Sequence, residues 1–282
     1  QAWKPVTVFL NGQYWGHMNL RERVDRFFIA QFEGLSLDQA DEMDILEANG
    51  SVNFGSNKAY RAMLKKIKAG CPATNPDDLQ YILDNVDVDN LFEYMALEMF
   101  VGNSDIGNIR YYRLHQEGSK WKWIWYDADY GLYSSKFNSP WSYMKVKGMG
   151  EQKIDNTIFL KLLEHPDYKR KFLEKLADVY KTFTTEYMTQ VLDGVVAEIQ
   201  PEMKNHWERW GELNDKAVTS EVPTTIDGAY TYWESRVNRL YNTLKVRPHR
   251  LWDFIKDEFK LTKAEMEELF GPQPDYPDDA VL

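Results

Sequence analysis

Apolar and polar positions change their period along the chain. Residues 6–10 (VTVFL) and 14–21 (YWGHMNLR) are β-rich runs divided by Asn11-Gly12-Gln13. Asn-Gly between two such runs predicts a hairpin. Residues 24–32 then read as a helix with a thick apolar face, and 43–47 (MDILE) as a short strand. Asn49-Gly50-Ser51 and Gly55-Ser56-Asn57 mark a polar loop. Ser56 is placed to cap a helix over 57–69, and Gly70 to stop it. Pro76 opens a helix to about 85, and Asp89 or Asn90 opens another to about 102. The run LFEYMALEMFV in that last helix is apolar nearly all round, which predicts a buried, central element.

A turn-rich loop follows, Asn103-Ser104-Asp105-Ile106-Gly107-Asn108. Two strands come next, 109–115 (IRYYRLH) and 120–127 (KWKWIWYD), joined through Glu117-Gly118-Ser119. If the second strand continues, Trp121, Trp123, Trp125, Asp127 and Asp129 share one face. Residues 131–153 show no period and are long enough for a functional loop. From about 154 the pattern is helical, with segments 155–164, 167–182, 184–213 and 225–245. Two short terminal helices are expected at 250–258 and 262–270, before a loose Pro- and Asp-rich tail. Trp252, Phe254, Ile255 and Phe259 form an amphipathic face, read as a docking surface. The expected fold class is α+β, predominantly helical. A small β-containing front part (1–55) precedes a helical lobe (56–245) that carries the hairpin region 103–131, and a helical extension with a tail (246–282) ends the chain.

Composition narrows the choices. The 34 basic residues against 44 acidic ones leave a net charge of −10. That speaks against a nucleic-acid binder, which needs a basic footprint. No apolar run is long enough to span a membrane. The single cysteine, Cys71, forbids an intrachain disulfide and excludes zinc sites built on cysteine pairs. Aromatic residues are frequent at 15%, with 10 Trp and 17 Tyr, and suit a core rich in polar handles or a carbohydrate-stacking surface. The Trp121/Trp123/Trp125 stripe is assigned to the core, where the following helices need a surface to pack on.

Familiar motifs fail one by one. The glycines at 50 and 55 continue Ser-Asn, not Lys-Ser or Lys-Thr, so there is no P-loop. Gly148-Met149-Gly150 lacks the third glycine of a dinucleotide fingerprint, and no GxSxG elbow occurs. What survives is a pair of carboxylate- and amide-rich loops, 103–108 and 126–131 (Tyr126-Asp127-Ala128-Asp129-Tyr130-Gly131), on either side of one hairpin. Asp and Asn oxygens are the hard ligands that Mg²⁺ prefers. Two neighbouring carboxylates repel unless a cation lies between them. A loop Asp, a nearby Asn, a hairpin and then Asp-x-Gly is the layout of phosphoryl transfer in kinases. In that layout Asp105 is the base toward an incoming hydroxyl, Asn108, Asp127 and Asp129 hold metal, and Arg110 reaches a phosphate. The same residues also serve as ordinary turn and cap formers, and Arg110 as a structural ion pair.

The blocks VFLNGQYWGHMNLRERVD (8–25), DILEANGSVNFGSNKAY (44–60), VDVDNLFEYMALEMFVGNSDIGNIRYYR (86–113), KWKWIWYDADYGL (120–132) and FLKLLEHPDYKRKFLEKLADVY (159–180) resemble the CotH kinase family, the spore-coat-protein-H-like branch of the kinase-like proteins. The resemblance implies an atypical kinase fold that binds ATP with Mg or Mn and phosphorylates Ser or Thr of a protein. It also implies a bacterial surface or secreted location. The family's catalytic Asp falls on Asp105 and its metal-binding Asp on Asp127, with Asp129 beside it and Asn108 as the following Asn. Glu22, in the block Leu20-Arg21-Glu22-Arg23, falls on a patterned family position and is assigned to the nucleotide or to its anchoring basic residue. The loop between Asp105 and Asn108 is shorter than the family form. The resemblance also implies small-lobe strands and phosphate-holding basic residues ahead of the first block, where only five residues precede Val6; the chain is therefore expected to be a piece of a longer protein. Two other readings stand beside the kinase. One is a catalytically inactive cell-surface binding or structural module, and the other a carbohydrate-associated surface protein.

Overall fold

In the computed structural model residues 2–146, 153–210 and 225–278 are described. In chain order the elements are β1 (Trp3–Leu10), β2 (Gln13–Arg21), α1 (Arg26–Phe32), a 3₁₀ turn (Leu37–Gln39), β3 (Met43–Glu47), β4 (Ser51–Phe54), α2 (Lys58–Ala69), α3 (Pro76–Asn85), α4 (Val88–Val101), β5 (Arg110–Leu114), β6 (Lys122–Ile124), α5 (Ser139–Lys145), α6 (Thr157–Leu163), α7 (Pro166–Thr182), α8 (Thr185–Trp210), α9 (Ile226–Phe259) and α10 (Lys263–Phe270). The fold is α+β and predominantly helical, with the strands lying between Trp3 and Ile124 and, among the described residues, helices alone from Ser139 on. Among the described residues no helix is long and apolar enough to cross a membrane.

The chain separates into two compact units. One takes the described residues of Gln1–Arg23, Thr184–Val246 and Pro277–Leu282; the other takes those of Val24–Phe183 and Arg247–Tyr276. In the first, β1 and β2 form an antiparallel hairpin. Its loop is Asn11-Gly12, with φ of 52° and 81°, the left-handed pair that Asn-Gly supplies cheaply. Helix α8 packs on this hairpin. The Trp210 indole donates to the Trp15 carbonyl at 2.7 Å, and the Tyr14 hydroxyl donates to Glu202 at 3.0 Å.

The second unit holds a four-stranded sheet in the order β4-β3-β5-β6. Alternation sorts its side chains onto two faces. Leu46, Tyr111 and Trp123 enter the main core with the helices, while Met43, Ile45, Tyr112 and Leu114 pack with Ile29 and Ala30 of α1. Both faces are covered, which is why Met43, Ile45 and Leu46 are all buried whichever way they point. Helix α4 is buried over most of its surface, with Asp89 and Glu93 left at the exterior, and Phe92 stacks edge-on with Phe172 at 5.4 Å.

Several expectations change. The α4 cap is Asp87, whose side chain accepts from the Asn90 amide, ahead of the predicted Asp89 or Asn90. The polar stretch near 50 contains β4, and the loop after 131 contains α5, capped by Asn138 with Pro140 in its first turn. The helices expected at 225–245 and 250–258 are one helix, α9, with Pro248 inside it. Proline has no amide for the Leu244 carbonyl four residues back, and the Thr185 hydroxyl donates to that carbonyl at 3.1 Å instead. The docking face is also corrected: Trp252, Ile255 and Phe259 are buried in the main core of their own chain. Residues 147–152 of the predicted long loop, with Gly148-Met149-Gly150, lie outside the described residues, as do 211–213 of the predicted helix and 279–282 of the tail.

Candidate active site

Both carboxylate loops hang from the C-terminal end of α4. The last four carbonyls of a helix lack partners within it. Here each is satisfied, and the donors fix the site. Glu98 O accepts from the amides of Gly102 (3.1 Å) and Asn103 (3.2 Å), which turns the chain into the first loop. Gly102 takes the left-handed conformation that this turn requires, φ 66°. Met99 O accepts from Arg247 Nη2 at 2.8 Å and from the Ser139 hydroxyl, and Phe100 O from Arg247 Nε at 3.2 Å. Val101 O accepts from the Leu132 amide at 2.6 Å, which ties down the second loop just past Gly131.

Arg247 is fully buried, and it donates to the carbonyls of Met99, Phe100 and Phe137 and to the Ser139 hydroxyl. Burial pushes its pKa down. Carbonyl oxygens of a helix C-terminus, the negative end of its dipole, surround it and offset that cost.

Within the first loop the Asp105 amide donates to Asn103 Oδ1 at 3.1 Å, and the Asn108 amide donates to the Asp105 carbonyl at 3.2 Å. The Asp105 carboxylate oxygen Oδ1 is buried and has no hydrogen-bond partner. A buried carboxylate oxygen left unpaired is costly, and such groups are retained where a ligand completes them. Asn108 links the two loops. Its amide donates to Asp127 Oδ2, and its carbonyl oxygen accepts from the Tyr126 hydroxyl at 3.0 Å. Burial raises the Tyr126 pKa; the nearby Arg110 opposes this, while the charges of Asp127, Glu47 and Asp105 add to it.

The second loop departs from the predicted extended strand. Strand β6 ends at Ile124, and Asp127 turns back with φ 53°. Asp127 and Asp129 therefore do not continue the face of Trp121 and Trp123. Trp121 is wholly buried, whereas Trp125 is 39% exposed, so the core stripe stops at Trp123. Asp129 is exposed, outside the Asn108–Asp127 pair. Arg110 is engaged in structure. It donates to the Val24 carbonyl and to Glu47 at 3.2 Å, and its guanidinium lies 4.8 Å from the Tyr126 ring centroid. Glu22 belongs to the other unit, where its carboxylate accepts from the Ala2 amide and closes the open end of the β1–β2 hairpin.

Among the described residues no three His, Cys, Asp or Glu side chains gather as a metal cage. The donors that do converge are Asp127 and Asn108, with the unpaired Asp105 oxygen in the same loop system. This set fits Mg²⁺ or Mn²⁺ bound with a phosphorylated ligand, because Mg²⁺ is ordinarily held by one or two carboxylates plus phosphate oxygens.

The sequence singled out neither Tyr126, Arg247 nor Glu98. The last of these carried a signal: Glu98 lies within the apolar run Met95 to Val101, and a charged residue buried there must find partners in the core. Glu98 is 1% exposed, and the Tyr143 hydroxyl donates to it at 2.7 Å.

Fold and loops together define a kinase-like α+β protein. The family described as CotH kinase protein matches residues 1–251 of the 282, and the chain belongs to it. No curated protein matches the chain.

Proposed function

We propose that this chain carries the catalytic and metal-binding loops of an ATP-dependent phosphotransferase that phosphorylates Ser or Thr hydroxyls of a protein. One observation carries the reading: the unpaired, buried Asp105 oxygen stands in the same loop as Asn108, which is bonded to Asp127 across the hairpin. Asp105 accepts the proton of the acceptor hydroxyl as that oxygen bonds to the γ-phosphorus and the bond to the bridging oxygen of ADP breaks. Asp127 and Asn108, with Asp129 at the rim, would hold Mg²⁺ or Mn²⁺, which when bound neutralises charge on the β- and γ-phosphates. Asn108 and Tyr126 orient Asp127, and the chain of bonds from α4 keeps both loops in place before ligand arrives.

A second reading, a surface binding or structural module without catalysis, is favoured by one engagement: Arg110, assigned to a phosphate, is already paired with Glu47. Thermal-shift titration with ATP plus Mg²⁺ or Mn²⁺ separates the two, run on this chain and on the full-length parent. A metal-dependent rise that Asp127→Ala removes supports the kinase. No rise in either protein leaves the surface module.

A further inference from the structure

We propose that Glu98 is the positioning residue of this site: its buried carboxylate holds the Asp105 loop and the Tyr126–Asp127 segment in register from inside α4. The proposal rests on the kinase reading above but makes its own structural claim.

Helix α4 places Glu98 one turn before its end, facing inward. The Tyr143 hydroxyl of α5 donates to it at 2.7 Å, and the side chains of Asn103, Tyr94 and Trp125 lie close enough to steady its charge. Each comes from a different part of the site. Asn103 is 1% exposed and passes the constraint on, since its Oδ1 accepts from the Asp105 amide at 3.1 Å. Trp125, close enough to Glu98 to help hold its charge, immediately precedes Tyr126 and Asp127, so the second loop starts beside the same carboxylate. Tyr143 spans both, donating to Glu98 at 2.7 Å and approaching the Asn103 carbonyl at 3.4 Å. One carboxylate with two oxygens can accept about four such bonds. A neutral side chain in its place cannot accept them all.

Structural economy argues the same way. A buried acid is a net cost: burial pushes the Glu98 carboxyl upward, and Tyr143, Asn103, Tyr94 and Trp125 around it only partly pull it back. A methionine or leucine would fill the same space without that cost. What the acid supplies, and an apolar residue does not, is a fixed point shared by two loops that Asn108 also links.

The test is Glu98→Gln, with Tyr143→Phe as a milder variant that deletes one donor and keeps the core volume. Hydrogen exchange of peptides covering 103–108 and 125–129 is followed without nucleotide, so the result does not depend on activity. Faster exchange in both loops, with α4 and the sheet protected as in wild type, is expected. In parallel, if the wild type transfers phosphate, kcat should fall on the order of 10–100-fold in Glu98→Gln while KM for ATP changes little. Glu98→Asp should recover part of that loss. If Glu98→Gln does not fold, Tyr143→Phe decides by the same exchange readout. Unchanged exchange in both loops overturns the proposal, whatever the kinase assay shows. Faster exchange in a protein that shows no metal-dependent nucleotide binding in either chain or parent keeps Glu98 as the loops' anchor and removes only the kinase reading.

Discussion

The Arg247 guanidinium packs directly on the backbone of Gly102: a methyl group there would lie 2.9 Å from Nη2 and 3.0 Å from Cζ. The two residues define the C-terminal end of α4, one by its left-handed turn and the other by filling the carbonyls of Met99 and Phe100. Gly102→Ala meets both constraints at once. The left-handed backbone costs a non-glycine residue about 1–2 kcal/mol. Moving a buried arginine off its acceptors adds at least one lost hydrogen bond, about 1 kcal/mol. Denaturant unfolding should therefore show a loss of about 2–3 kcal/mol with an unchanged m-value. A loss below about 0.5 kcal/mol would mean that Arg247 gives way freely.

Asn108→Ala separates site geometry from stability. The side chain is half-buried and bonds only to Asp127 and Tyr126 within the site. Its removal should cost less than about 1 kcal/mol of stability. Affinity for ATP with Mg²⁺ should fall on the order of 10–100-fold, because Asp127 loses the partner that orients it. Isothermal titration of wild type and variant checks this, and equal affinities would remove Asn108 from the site.

Glu33 gives an acid-side prediction. Burial alone would raise its carboxyl, but hydrogen bonds from Lys122 and Tyr112 and the Lys122 charge bring it below its ordinary 4.5. A carboxylate depressed in the folded state stabilises fully above its unfolded pKa and loses that contribution as pH falls through the folded value. Wild type should therefore lose stability below about pH 4.5 more steeply than Glu33→Gln. Parallel acid-unfolding curves for the two would show that the Glu33–Lys122 pair, at 2.7 Å, is energetically silent.

Much of this was legible in the residues. The hairpin at Asn11-Gly12, the buried α4, and the loops on either side of β5 and β6 follow from turn chemistry and period. Legibility failed where a tertiary partner replaced a local rule. Pro248 reads as a helix break, yet α9 runs through it because Thr185, far off in sequence, takes the freed Leu244 carbonyl. Alternation carried the Trp stripe on to Asp127 and Asp129, yet β6 ends where its pairing with β5 ends, at Arg110 opposite Ile124. Asp105, Asn108 and Asp127 were visible as residue types in a spacing. The groups that hold them, Glu98, Arg247 and Tyr126, were not, because their roles exist only once distant elements meet.

His206 supplies a counterpart nearer neutral pH in the unit built on the β1–β2 hairpin. Its Nδ1 accepts from the His17 amide at 3.2 Å, so it must be unprotonated at that atom to hold β2. Around it stand His17 of β2, with ring centroids 6.2 Å apart, and Trp207 of α8, while Glu202 one turn earlier is occupied by Tyr14. Burial lowers the His206 pKa from 6.5, and charge on His17 lowers it further. A histidine depressed in the folded state must be neutral there, so its contribution is complete above the unfolded value and is lost as pH falls through the lower folded one. Acidification from pH 8 to about 5 should therefore loosen the contact between α8 and β2, by about one hydrogen bond or roughly 1 kcal/mol. Protection of the His17 amide, corrected for intrinsic exchange, should fall over that range. His206→Asn keeps an acceptor near Nδ1 but cannot titrate, and should hold protection constant. A wild-type profile that stays flat, or an Asn variant that falls with the same slope, would place the pH response elsewhere in the unit.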